Sequence, residues 1–137
     1  MKNSYYDIGY NDYLFAKNSL ELCNQTGNYN AVVSIFSQSA EKLLKEIIEI
    51  KFADDSTCFS VLRTHNLRTI VNKIKERYPD IALNSIECKW LGDFYFDARY
   101  PGDNFVIVNK EDAYQALAIT EHILSCVDTV LHDDTLL

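Results

Sequence analysis

Turn-forming residues are scarce in this chain, and their scarcity constrains the fold more than any other feature. The 137 residues include only 4 Gly and 2 Pro, and residues 28–78 contain neither. Sandwiches and barrels need frequent turns, whereas long helices do not. With a hydrophobic content of 47%, a chain of this length can bury one core but has no room for a second domain. We therefore predict a single all-α domain over residues 1–137.

Apolar residues recur at the three- and four-residue spacing of a helix in five segments. The predicted helices span about 5–23, 28–52, 64–78, 84–98 and 109–131. The second is the central helix, because it is long and keeps its apolar stripe throughout. Residues 54–63 show no clear period and are predicted to form a loop. Short connections between these segments predict an up-and-down bundle of four to five helices.

Composition also narrows the location and the cofactors that we expect. No apolar run approaches the ~20 residues that cross a bilayer, and the first residues lack a basic segment leading into an apolar one. Four cysteines are scattered without a Cys-x-x-Cys pair: Cys23, Cys58, Cys88 and Cys126. Such spacing is typical of reduced core thiols. We expect a cytoplasmic protein with no membrane contact, no metal and no cofactor.

The charge is unevenly distributed along the chain. A net charge of −7 argues against a protein that coats nucleic acid by bulk electrostatics. Eight of the 13 Lys and Arg lie within residues 42–77, with only five of the 20 acidic residues. A solvated helix face is one explanation, and Glu41 with Lys45 fits it as an i, i+4 pair. The alternative is a phosphate site that uses Lys42, Lys45 or Arg68.

Arg99 is the most suggestive cation. It stands where the fourth predicted helix ends, between Ala98 and Tyr100, and a proline follows. Proline stiffens the exit, so the guanidinium could be held in one direction, and its planar charged fork suits a phosphate. The alternative is a helix-end cation that complements the dipole or pairs with Asp93 or Asp97.

His65 is the strongest candidate among the three histidines. It lies at the start of the third predicted helix, beside Thr64, which is predicted to cap that helix. Capping or packing is one role for His65, and ligand binding or proton exchange is the other. The sequence contains no Ser-His-Asp arrangement, phosphate-cradling Gly-rich loop or His-x-Glu metal motif.

Three segments together resemble the HEPN domain family (higher-eukaryote and prokaryote nucleotide-binding). They are QSAEKLLK at 38–45, THNL at 64–67 and ARYP at 98–101. With the last amphipathic helix, they cover nearly the whole chain. The resemblance implies a helical bundle that commonly dimerises. It also implies a nucleotide or RNA ligand, because the family includes RNA-cleaving toxins and nucleotide-binding proteins encoded beside small nucleotidyltransferases.

The resemblance also shows a departure from the motif of the RNA-cleaving members. Their signature is an arginine followed after four to six residues by a histidine, and Arg99 matches the arginine. The histidine should occupy residues 104–106, which are Asn104, Phe105 and Val106. Asparagine has no titratable proton near neutral pH, so Asn104 could donate a hydrogen bond but not shuttle a proton.

Three hypotheses follow. The first is a homodimeric module that holds a nucleotide or RNA phosphate with Arg99, aided by Tyr100 and by Lys42, Lys45, Arg68 or His65. The second is a divergent metal-independent endoribonuclease in which Asn104, Tyr100 or His65 replaces the missing histidine. The third is a helical partner of a small nucleotidyltransferase in a toxin-antitoxin pair. Whether the chain is an enzyme stays open.

Overall fold

The computed structural model describes residues 1–132, which form a bundle of helices. The helices are α1 (Tyr5–Thr26), α2 (Asn30–Lys51), α3 (Cys58–Arg63), α4 (Leu67–Lys75), α5 (Ser85–Asp97) and α6 (Lys110–His132). No strand occurs within residues 1–132. The predicted all-α bundle is confirmed. The predicted domain also included residues 133–137, which lie outside the described part of the chain.

The additional helix, α3, occupies part of the segment that we predicted to be a loop. Its buried residues are Cys58 and Val61. The Cys58 thiol lies 3.7 Å from the carbonyl oxygen of Ile48 and donates to it, which ties α3 to the end of α2. Two buried positions three residues apart are too few to produce a recognisable period, so the prediction of a loop was wrong here.

Asparagine side chains cap the first turns of α4 and α5, the two helices that flank the candidate site described below. The Asn84 side chain accepts from the backbone N–H groups of Ile86 and Glu87, at 2.9 and 3.1 Å, and this cap begins α5 close to the predicted residue. Asn66 caps α4 by accepting from the N–H of Thr69 at 3.2 Å. The predicted cap, Thr64, instead has extended backbone and accepts from the N–H of Asn66.

The central helix is α2, as predicted. It packs against all the other helices, and Phe36, Ala40, Leu43 and Leu44 along it are fully buried. Its apolar residues therefore form the middle of the single core. The apolar pattern of α5 is less informative about burial, because Ile86, which belongs to that pattern, is 82% exposed. Ile86 lies in the first turn of α5, beyond the surface that the neighbouring helices cover.

Three features relate to the location and cofactors that the sequence led us to expect: the cysteines, the groups of possible metal ligands and the polarity of the helices. All four cysteines are free, and three of them are buried. Burial raises the pKa of the Cys88 thiol to about 11, which keeps it protonated near neutral pH. Among residues 1–132, no group of three or more His, Cys, Asp or Glu is placed to hold a metal ion. Over the same residues, every helix is too short or too polar to span a bilayer.

α1 and α2 approach each other closely at Gly9. A Cβ atom at this position would lie 3.0 Å from the Cβ of Lys42 and 3.1 Å from the backbone oxygen of Ser39. The Ser39 hydroxyl donates to the Gly9 carbonyl at 2.7 Å inside the interface. The absence of a side chain at Gly9 therefore allows α1 and α2 to pack this closely.

We expect Gly9→Ala to lower the free energy of unfolding by about 1–2 kcal/mol, because the overpacking of the α1–α2 contact outweighs the better helix propensity of alanine. Chemical denaturation followed by circular dichroism measures the effect. Asn18→Ala, at an exposed position of α1, is the matched control and should leave stability unchanged or slightly higher. Equal stability of Gly9→Ala and the wild type would contradict the close approach.

Candidate ligand-binding site

The connection from α5 to α6 is held in place by one side chain at the start of α2. The Asn30 amide nitrogen donates to the carbonyl oxygens of Ala98 and Val106, at 3.2 and 2.7 Å. Its oxygen accepts from the N–H of Val108 at 2.9 Å. Asn30 thereby fixes both ends of the segment that carries Arg99. We did not predict this role, because a lone asparagine at a helix start is indistinguishable in sequence from an ordinary cap.

Arg99 lies just beyond the end of α5 and is flanked by two aromatic rings. Its guanidinium carbon is 4.8 Å from the ring centroid of Tyr95 and 5.3 Å from that of Tyr100. Within residues 1–132, Arg99 forms no salt bridge, and Asp93 pairs instead with Lys89 at 3.1 Å. The alternative in which Arg99 pairs with an aspartate of α5 is therefore not what the structure shows. The charge of Arg99 stays available to a ligand.

Tyr95 and His65 connect Arg99 to Glu41 of the central helix. Their rings stack with centroids 5.0 Å apart and an interplanar angle of 10°. The Nδ1 atom of His65 lies 3.0 Å from one carboxylate oxygen of Glu41 and 3.2 Å from the other. Consequently, His65, Tyr95 and Arg99 form a continuous row, which we call the His65–Tyr95–Arg99 row. Residues far apart in sequence thus meet at one end of α5.

The pair of Glu41 and Lys45 lies inside the bundle, and our prediction of a solvated pair was wrong. The Lys45 amine is 2.9 Å from a Glu41 carboxylate oxygen, and their side chains are only 5% and 10% exposed, respectively. The i, i+4 spacing predicted the contact but not its burial, because neighbouring helices and His65 cover this face of α2. Lys45 therefore supports the site through Glu41 and does not face solvent.

The remaining predicted site residues divide between the site and other surfaces. Arg68 lines a cleft of about 460 Å³ between α4 and α5, together with His65 and Tyr95. Arg99 lines a second groove, which lies beside the start of α2. Lys42 lies apart, because its amine pairs with Asp12 of α1. The structure therefore places His65 and Arg68 on one cleft and Arg99 on another groove, and Lys42 lines neither.

Asn104 lies in an exposed turn of the connection between α5 and α6. The N–H of Phe105 donates to the carbonyl of Gly102 at 3.1 Å and closes this turn. Within residues 1–132, the Asn104 side chain forms no hydrogen bond, so nothing in the bundle orients it. This setting differs from that of His65, which Glu41 and Tyr95 hold on two sides.

The fold and the site together define a helical-bundle domain with an exposed arginine at the end of its penultimate helix. The family model of the HEPN domain matches residues 14–130, most of the chain. The chain therefore belongs to the HEPN domain family, as the three sequence segments indicated. Comparisons with curated proteins and with solved structures gave no match.

We expect Lys45→Met alone to lower the free energy of unfolding by about 3 kcal/mol or more, because it leaves the buried Glu41 carboxylate without its lysine. The double variant Glu41→Gln/Lys45→Met removes both charges and should come within about 1 kcal/mol of the wild type. Urea denaturation of the wild type and of both variants measures these differences. Equal losses in the single and double variants would show that the lost packing of Lys45, and not an unpaired charge, causes the effect.

Proposed function

We propose that this HEPN domain is a nucleotide- or RNA-binding module in which Arg99 holds a phosphate. One observation carries the proposal: the Arg99 guanidinium lies against two tyrosine rings and has no salt bridge within residues 1–132. Aromatic rings contact the flat face of a guanidinium, and its in-plane N–H donors then remain free for an acceptor. A planar fork of donors binds phosphate in a bidentate manner.

The surroundings of Arg99 support the same ligand class. Tyr100 is 51% exposed and Phe96 is 58% exposed. Exposed aromatic rings beside a cation are typical of sites where bases of a nucleotide or a single-stranded RNA stack. Arg68 in the neighbouring cleft provides a second exposed cation that forms no salt bridge within residues 1–132. An acidic protein thus offers a local surface where an anion is favoured.

We expect Arg99→Ala to weaken nucleotide or RNA binding by about tenfold or more, since hydrogen bonds to charged groups contribute about 1.5–3 kcal/mol. Titration calorimetry with nucleoside triphosphates and short single-stranded RNAs measures the affinities. The matched control is Arg63→Ala, because Arg63 is exposed at the end of α3 and lines neither the cleft nor the groove. Wild-type protein that binds none of these probes at millimolar concentration would refute the proposal, as would binding that Arg99→Ala leaves intact.

The proposal includes a homodimer formed through the apolar surface next to Arg99. Large apolar side chains are exposed in the connection that follows α5: Phe105, Val106 and Ile107. Contiguous exposed apolar surface favours a partner, and a two-fold dimer is the simplest closed assembly. Such a dimer would bring two copies of Arg99 towards one groove and add their positive potentials.

We expect the wild type to be a dimer at micromolar concentration and Ile107→Glu to be a monomer, because the new carboxylate would be buried without a partner in the interface. Size-exclusion chromatography with light scattering measures the mass. Ile50→Glu is the matched control, because Ile50 is an exposed isoleucine (57%) at the other end of α2. A monomeric wild type would exclude the dimer, and loss of the dimer in both variants would place the interface elsewhere.

The proposal concerns binding, because Asn104 cannot exchange a proton near neutral pH in place of the motif histidine. A toxin-antitoxin or nucleotidyltransferase-associated system is the setting that the family suggests, with a small nucleotidyltransferase as the partner and the cytoplasm as the location. In that setting, the surface around Arg99 would bind the nucleotide or RNA, contact the nucleotidyltransferase, or do both.

A further inference from the structure

The cleft between α4 and α5 contains polar groups that a phosphate site alone does not need. Its α4 side is formed by the residues that begin that helix, and its α5 side by one face of α5. The lining residues include Asn66, Arg68, Lys89, Asp93, Phe96 and Asp97. The volume of about 460 Å³ lies within the range of small-ligand sites. The cleft therefore has room for one base of a nucleotide.

Asp97 provides an acceptor in this cleft that is not used within the protein. Lys89, Asp93 and Asp97 follow one another at i, i+4 spacing on one face of α5. Lys89 pairs with Asp93 at 3.1 Å. Asp97 is half-buried, and within residues 1–132 its carboxylate forms no salt bridge and no hydrogen bond. Both carboxylate oxygens are thus available to a donor group that enters the cleft.

An aromatic side chain, Phe96, lines the same cleft as Asp97. The Phe96 ring is 58% exposed and packs edge to face against Tyr95, with ring centroids 4.7 Å apart. Tyr95 is itself held by its stack with His65. Phe96 also contacts the Tyr100 ring, with centroids 6.2 Å apart, and more than half of its surface stays exposed. A planar base could stack on this exposed ring with one edge towards Asp97.

The four nucleobases differ in how well their hydrogen-bonding groups match a carboxylate. An ionised carboxylate only accepts hydrogen bonds, and it can accept two parallel ones. Guanine presents two adjacent donors, N1–H and the N2 amino group. Adenine and cytosine present one amino group beside an unprotonated ring nitrogen. Uracil presents one N–H between two carbonyl oxygens. The ring nitrogen and the carbonyl oxygens are acceptors, so they repel the carboxylate. Guanine is therefore the base that a free carboxylate fits best.

We propose that the α4–α5 cleft is a base-recognition subsite for guanine and that Asp97 determines this specificity. The inference rests on the proposed function, because the phosphate of the same nucleotide is assigned to Arg99, whose guanidinium lies over the ring of Tyr95, a residue that lines the cleft. The base would stack on Phe96, its N1–H and N2 amino group would donate to Asp97, and its phosphate would meet the guanidinium of Arg99.

Calorimetric titration with GMP, IMP, AMP, CMP and UMP tests this specificity. The wild type should bind GMP about tenfold or more tightly than AMP, CMP and UMP, in line with the discrimination of one bidentate contact. IMP lacks the N2 amino group and should bind with intermediate affinity. In Asp97→Asn, GMP should lose its advantage, because an amide offers one donor and one acceptor to the two donors of guanine.

Two further variants separate the inference from the proposed function. Arg99→Ala should weaken all five nucleotides, whereas Asp80→Asn, which makes the same charge change at an exposed position outside the cleft, should change none. Asp97→Asn should fold normally, because the backbone carbonyl of Asp97, and not its side chain, accepts from the N–H of Val106; circular dichroism checks this. Equal wild-type affinity for all five nucleotides would overturn the guanine assignment and leave the phosphate site standing. Guanine preference that persists in Asp97→Asn would remove Asp97 from recognition, and no binding of any nucleotide would overturn both proposals.

Discussion

Glu41, in the middle of the central helix, makes the contact on which the candidate site depends. Its carboxylate meets the Lys45 amine on one side and the His65 ring on the other. Removing a carboxylate from water is costly, and the two nitrogen partners offset that cost only while all three groups keep their positions. Because Lys45 and Glu41 are fixed on α2, the contact also fixes His65, which lies just before the start of α4.

The arrangement continues outward from His65 by ring contacts. Tyr95 stacks on His65, and Arg99 lies over Tyr95. Each step is weak, with ring and cation–π contacts contributing roughly 0.5–2 kcal/mol. Their combined effect is to orient a flexible arginine, and a preorganised group loses less entropy when it binds a ligand. The buried ion pair and the exposed cation are therefore two ends of one continuous arrangement.

The rigidity of the site also depends on the connection between α5 and α6. This segment has few apolar anchors, since Val108 is buried but residues 99–107 are exposed. Asn30 replaces such anchors with three hydrogen bonds. A surface connection held by a side chain from the central helix is suited to binding, because its backbone is fixed while its side chains remain exposed. The apolar residues 105–107 can then face a partner without being drawn into the core.

The sequence by itself determined the five longer helices, because helix formation depends on spacing and caps that are local in the chain. The apolar stripe of Leu67, Ile70 and Ile74 in α4 and the start of α5 near Asn84 were predictable for this reason, and Arg99 was identifiable from the helix break and the family segment. The helix α3 was not predictable, since two buried residues make no period. Only the tertiary structure decided that Lys45 is buried, that His65 contacts Glu41 and that Arg99 forms no salt bridge within residues 1–132. These facts depend on distances between residues on different helices, which packing sets and sequence spacing does not.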